Sequence, residues 1–254
     1  MQHNYLVQEF FHFFLVLVRI TGAVMLMPGF GQVEIPGRLR TMLALALAFS
    51  LTPCVSAYLP TAELHYIVVF TLVVHEFVIG CFIGIIGRTL LSTLDMAGNL
   101  ISYQLNLSNA TLFNPGMATQ GVITSLMLAT AGSTILFVFD LHHLMIKAIV
   151  HSYALIPIQK VLLLGDFSHN LINVLAKTFS IAVQFSAPFL IIGTVLQIAF
   201  GLLSRLVPQL QVFFVGMPIQ IGFGLFVLML VISSMLLNFG QLFDDQFRTI
   251  FHMS

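Results

Sequence analysis

From Tyr66 to Leu105 the chain reads YIVVFTLVVHEFVIGCFIGIIGRTLLSTLDMAGNLISYQL, with Glu76, Arg88 and Asp95 as its only charged side chains. Crossing a bilayer takes about 20 apolar residues of helix, so this run is one long helix or a close pair. Its apolar residues do not alternate with polar ones. Lipid admits only helices or closed barrels, and a barrel strand needs that alternation, so strands are disfavoured. The rest of the chain has the same character: 59% of the 254 residues are hydrophobic and 7% are charged. Soluble domains carry about 25% charged residues, and a soluble fold could not cover its surface with so few. The fold class is an all-α membrane protein.

Working outward, further apolar runs cover Phe10–Met27, Leu39–Leu59, Val122–Pro157, Leu171–Arg205 and Val212–Leu242. With the longest runs each counting as one helix or two, six to eight helices are expected. No fixed-period repeat or low-complexity linker divides the chain, so residues 1–254 read as a single domain. Glu9, with no Lys or Arg before the first run and no small-residue cleavage site after it, argues against a cleaved signal peptide. Nine basic and nine acidic residues cancel, which points neither to nucleic acid nor to a polybasic anchor. Cys54 and Cys81 lie in apolar runs without metal or redox spacing. With no Trp in the chain, any interfacial aromatic belt falls to Tyr and Phe.

The breaks and charges indicate more than a lipid-bathed bundle. Pro28-Gly29 and Pro36-Gly37 bracket a turn after the first helix. Pro53 and Pro188 fall inside apolar runs, where each removes a backbone hydrogen bond and is expected to kink or divide its helix. Pro208 and Pro218 flank Gln209–Met217, too short to span alone. Broken segments are tolerated where protein or a water-filled cavity satisfies the freed backbone. In the first run, about a dozen apolar residues at roughly −0.5 kcal/mol each outweigh about +3 kcal/mol for a central Arg19, which should turn away from lipid. The second half of Val122–Pro157, with Asp140, His142, His143, Lys147 and His151, is marginal in lipid and needs partners.

Several constellations hold residue types that can carry chemistry. His75-Glu76 begins like HExxH, but Ile79 stands where the second zinc-binding His would be. Glu76 then either pairs with a base on a neighbouring helix or stays protonated. Asp140, His143, Lys147 and His151, spaced three and four apart, form a polar stripe. It reads as ion pairs and hydrogen bonds to adjacent helices or, alternatively, as a proton relay. Adjacent His142 and His143 should point about 100° apart on a helix, which weakens a metal reading. Gly80 and Gly84 form a GxxxG pattern that permits close helix approach, and Arg88 and Asp95 are candidates for helix contacts. Asn106–Gly121 is uncharged and rich in small polar residues, yet carries Leu107, Leu112, Phe113 and Met117. It fits a re-entrant segment, a pore plug or an ordinary connecting loop. No nucleotide loop or catalytic triad ordering stands out, and the chain reads as no enzyme, with no cofactor and no metal.

Taken in order, these residues resemble the FliR family of flagellar export-gate proteins and their injectisome counterparts, across nearly the whole chain. The resemblance runs through Leu17-Val18-Arg19-Ile20-Thr21-Gly22, Ile35-Pro36-Gly37-Arg38-Leu39-Arg40, Glu76, Gly80, Gly84, Asn114-Pro115 and Asp140-Leu141-His142-His143. Its most specific block is Gly201-Leu202-Leu203-Ser204-Arg205-Leu206-Val207-Pro208-Gln209-Leu210-Gln211, followed by Gly216-Met217-Pro218. The resemblance implies helices arranged as hairpins in a helical multi-subunit gate for type III export of unfolded substrates. It implies FliP-type, FliQ-type and FlhB-type partners and residence in the bacterial inner membrane, at the flagellar basal body. It also implies that the loop with Asn106, Leu107, Ser108, Asn109, Leu112, Phe113, Asn114, Pro115 and Met117 plugs the closed pore. Arg19, Arg38, Arg40, Glu76, Arg88, Asp95, Asp140, His143, Lys147 and Arg205 would then serve as inter-helix or inter-subunit contacts. Gln197 and Gln220 stand where the family often carries an acidic residue and a Lys, so no charge-based role passes to them. The alternatives are the injectisome counterpart and a proton-coupled secondary transporter.

Overall fold

A computed structural model describes residues 2–31, 35–59, 66–107, 123–156, 164–207 and 212–253. It has seven α-helices and no strand among these residues: α1 (Gln2–Leu26), α2 (Gly37–Val55), α3 (Tyr66–Gln104), α4 (Ile123–Val138), α5 (Leu141–Leu155), α6 (Leu164–Leu206) and α7 (Val212–Ile250). Five are long and apolar enough to cross a membrane, and the bent pair α4–α5 makes a sixth candidate. This is an all-α membrane protein.

Local chemistry explains where the helices start and stop. Pro36, at φ −55°, precedes the first residue of α2, and the Arg40 guanidinium donates to the Ile35 carbonyl at 3.0 and 2.8 Å. Pro53 lies inside α2, which ends two residues later and tightens into a 3₁₀ turn over Ser56–Tyr58. Pro188 and Pro218, by contrast, stay inside α6 and α7, so neither divides its run. One missing hydrogen bond is a small fraction of a helix of 43 or 39 residues. The run that does break contains no Pro or Gly at the break: α4 and α5 meet at a 72° bend, where Asp140 adopts a left-handed φ of 57°. At 1.5 Å per residue the 39-residue α3 is about 58 Å long, nearly twice a hydrocarbon core of about 30 Å.

The described chain forms two compact units. The first comprises Met1–Leu90, Leu136–Val174 and Leu242–Ser254. Its core joins Leu15, Ile20 and Ala23 of α1 to Ile79, Ile83 and Ile86 of α3 and to Met145 and Ala148 of α5, all fully buried. Phe243, Phe247 and Phe251 form a ladder at the end of α7, with successive ring centroids 4.9 and 5.6 Å apart. Helices α1 and α3 approach backbone to backbone. A methyl group on Gly22 would lie 2.9 Å from the Phe77 carbonyl oxygen, and one on Gly84 would lie 2.7 Å from that of Ala23. Gly80 leaves no room for a Cβ against the carbonyl of Arg19. The glycines therefore let the two helices meet without intervening side chains.

The second unit comprises Leu91–Ile135 and Leu175–Gln241. Leu94, Ala97 and Ile101 of α3, Leu128 of α4, Ala182 and Phe189 of α6 and Met235 of α7 make its core. Gly98 lies so close to α4 that a methyl there would sit 2.5 Å from the Ser125 Cα. Outside both cores, apolar surface is extensive. Only 17% of the α2 span and 17% of the α6 span are buried within the chain, against 39% for α3. Such faces require lipid or other protein around them.

Candidate functional site

The first unit is closed by a buried charge network. Arg19, on α1, and Glu76, on α3, are both fully buried. The arginine Nε donates to Glu76 Oε2 at 2.6 Å and Nη2 donates to Oε1 at 2.7 Å. This planar fork-to-carboxylate match is the strongest geometry such a pair can adopt. The third nitrogen, Nη1, donates to Ser152 Oγ on α5 at 2.8 Å. Ser152 in turn donates to the Ile149 carbonyl at 2.6 Å. Tyr153 lies under the guanidinium, with Arg19 Cζ 3.7 Å from its ring centroid, a cation–π contact strengthened by the absence of water. His75 Nδ1 flanks the carboxylate at 3.8 Å from Oε1.

Three helices distant in sequence are thereby pinned through one side chain. Arginine suits this position because it stays ionised and offers several donors in a rigid plane. Its burial without a carboxylate would be prohibitive. Ser152→Ala removes one hydrogen bond to a charged group and leaves Nη1 unpaired. We expect a loss of about 1.5–3 kcal/mol, read as a lowered midpoint in thermal unfolding followed by far-UV circular dichroism.

The polar stripe of α5 has a different environment. Asp140, His143, Lys147 and His151 are all exposed, so the stripe faces away from the core of the unit. Asp140 Oδ1 and His143 Nδ1 are 3.3 Å apart. The rings of His142 and His143 lean together, with centroids 4.1 Å apart, where their helical angle predicts divergence. They lie in the first turn of a helix entered from a sharp bend, and side-chain torsions offset the backbone angle. Arg38, Arg88 and Arg205 are exposed. Arg40 folds back on its own helix start, and Asp95 accepts a long 3.4 Å bond from Ser125.

Of the residues expected in the plug, Asn106 and Leu107 are described. Ser108, Asn109, Leu112, Phe113, Asn114, Pro115 and Met117 lie outside the described residues. Asn106, two residues past the end of α3, has a left-handed φ of 55°, a conformation Asn tolerates better than most residues. Its amide donates to Gln220 Oε1 at 2.8 Å, while Gln220 Nε2 donates to the Gln104 carbonyl. Gln220 is buried and so ties α7 to the end of α3. Sequence reasoning missed this tie; the available signal was an amide set among apolar residues in the run Val212–Leu242, far from that run's other amides, Asn238 and Gln241. A cavity of about 340 Å³ beside it is lined by Asn106, Gln197, Phe200, Ser204, Met217 and Gln220.

Residues 10–246 match the family described as bacterial export proteins, family 1. The chain is 34% identical to the flagellar biosynthetic protein FliR of Caulobacter vibrioides, over 93% of this chain and 92% of that protein. It is 26% identical to FliR of Bacillus subtilis, over 97% and 96% of the two chains. It is also 27% identical to the Yop proteins translocation protein T of Yersinia pestis, over 87% and 86%. With a family match spanning both compact units and relatives aligned almost end to end, the chain belongs to the bacterial export proteins of family 1, the FliR family.

Proposed function

We propose that the chain is a structural subunit of the type III protein export gate of the bacterial flagellum, acting in the inner membrane without catalysing a reaction. It joins FliP-type, FliQ-type and FlhB-type subunits around a passage for unfolded substrates, and residues 1–254 act in it as one gate domain. The observation that carries this reading is the contrast within one molecule. A charge-clamped interior holds α1, α3 and α5 together, while α2 and α6 leave most of their apolar length uncovered. A chain built to work alone in lipid has little use for helices about twice the bilayer thickness; one stacked among other helices does. The 34% identity to FliR of Caulobacter vibrioides, over 93% of this chain, supports the flagellar system.

Tagging the chain, purifying it from a cell that expresses its genomic neighbours, and identifying the recovered proteins by mass spectrometry tests the assembly. Recovery of FliP-like and FliQ-like subunits in fixed ratio is the expected result. A lone monomer that moves a solute across liposomes, and loses that ability on Asp140→Asn, would overturn it in favour of a transporter.

The segment 106–121 is proposed to close the passage, with Phe113 and Met117 as deformable apolar stoppers; a flexible thioether repacks readily around different neighbours. Deleting residues 108–121 is then expected to make cells leak small solutes and ions without preventing assembly. Unchanged membrane permeability in an assembled deletion complex would remove the plug role.

A further inference from the structure

We propose that Asp140, His142 and His143 form a binding site for a divalent transition-metal ion of the zinc type, at the elbow between α4 and α5. The three side chains can each present a ligand atom within 4.8 Å of the other two. One pair, Asp140 Oδ1 and His143 Nδ1, is 3.3 Å apart. Ligands at about 2.0–2.1 Å from a tetrahedral ion are separated by about 3.3–3.4 Å, so this pair already spans one edge of such a site. His142 offers the third ligand atom, within 4.8 Å of the other two. An Asp with two imidazoles is a donor set suited to zinc, cobalt or nickel rather than to calcium or magnesium.

A second observation points the same way. His142 Nδ1 is buried and has no hydrogen-bond partner among the described residues, whereas a purely structural imidazole normally pairs its buried nitrogens. The backbone supplies the placement. Asp140 sits in the left-handed region at φ 57°, immediately before the first turn of α5, so its carboxylate lies beside the rings of residues two and three positions on. Asp140 and His143 are 75% and 63% exposed at their side chains, which leaves the remaining coordination positions open to water or to a donor from another subunit. Without an ion, the Asp140–His143 contact needs a proton on Nδ1. The ion takes that place on Nδ1: a neutral ring keeps its single proton by carrying it on Nε2, and an imidazolium releases one proton to solvent.

The test uses the full chain carrying a non-histidine affinity tag, stripped with chelator and titrated with Zn²⁺ against a chromophoric competitor. Co²⁺ absorption then reports the geometry. The expected result is one saturable equivalent at micromolar ion and a tetrahedral Co²⁺ spectrum. His143→Ala and Asp140→Asn should each weaken binding by at least roughly tenfold. Asn keeps the left-handed turn accessible, so Asp140→Asn still answers the question should His143→Ala fail to fold. His169→Ala, which removes an exposed imidazole hydrogen-bonded to Asn173 on α6, should leave binding unchanged. Absence of saturable uptake, or uptake of equal strength in Asp140→Asn, overturns the proposal.

Discussion

Arg19→Ala is expected to destabilise the folded chain by about 3–5 kcal/mol, because it strands a buried carboxylate rather than merely deleting a contact. Glu76 loses both of its close donors, at 2.6 and 2.7 Å, and Ser152 loses the guanidinium that holds it against α1. Every 1.4 kcal/mol is about tenfold in an equilibrium, so the ratio of folded to unfolded chain falls by two to four orders of magnitude. Glu76→Ala should cost a similar amount by the opposite route, leaving a guanidinium in an apolar core. The informative variant is the double replacement Arg19→Met with Glu76→Leu. It removes both charges and keeps the volume, and buried pairs exchanged in this way are often neutral in stability. The measurement is thermal unfolding in detergent by circular dichroism, with export of a flagellar substrate as the cellular readout. If Arg19→Ala melts with the wild-type chain, the clamp does not hold the helices. If the double variant is stable but does not export, the charges serve the assembled gate beyond their role in this fold.

Gly80→Ala is expected to be the most damaging addition of a single methyl group. Its Cβ would run into the Arg19 carbonyl and the Ala23 amide, which are helix backbone and cannot rotate aside. Helices α1 and α3 must therefore separate. Overpacking of this kind costs about 1–3 kcal/mol. The displaced backbone is that of Arg19 itself, so the shift also stretches the Glu76 contact, and the two effects should not be additive. Gly201→Ala provides the control. Nothing lies within 4 Å of a methyl at that position, and replacing a mid-helix Gly should stabilise by about 0.5–1 kcal/mol. Equal melting temperatures for Gly80→Ala and the wild-type chain would mean that the close approach of α1 and α3 is not tight.

The helices were legible wherever hydrophobicity alone decides. The run Tyr66–Leu105 became a helix over Tyr66–Gln104, because solvent and backbone satisfaction leave a long apolar segment little choice. Less legible was the integrity of each run. The Pro-bearing stretches at Pro188 and Pro218 remain continuous, while the break falls at Phe139-Asp140, where no helix-breaking residue stands. That bend depends on what α4 and α5 pack against, which composition does not record. The same limit applies to charges. Periodicity marks Arg19 and Glu76 as residues that need company, but nothing in a linear pattern selects a partner 57 positions away. Gln220 stands out in the sequence only as a departure from the family pattern, and its tie went unread because an uncharged amide carries no alarm in a hydropathy profile, although its two hydrogen bonds join α7 to the end of α3.

The clamp also has a consequence for biogenesis. Arg19 emerges from the ribosome 57 residues ahead of Glu76 and 133 ahead of Ser152. At about 5–20 residues per second of synthesis, the guanidinium waits roughly 3–11 s for its carboxylate and longer for its serine. During that interval the first hairpin carries an unneutralised cation, worth about 2.5–3.5 kcal/mol at a bilayer centre. The apolar residues of α1 outweigh that cost, so α1 can enter the membrane before its partner exists, and the arrival of α3 removes the remaining penalty by supplying the carboxylate.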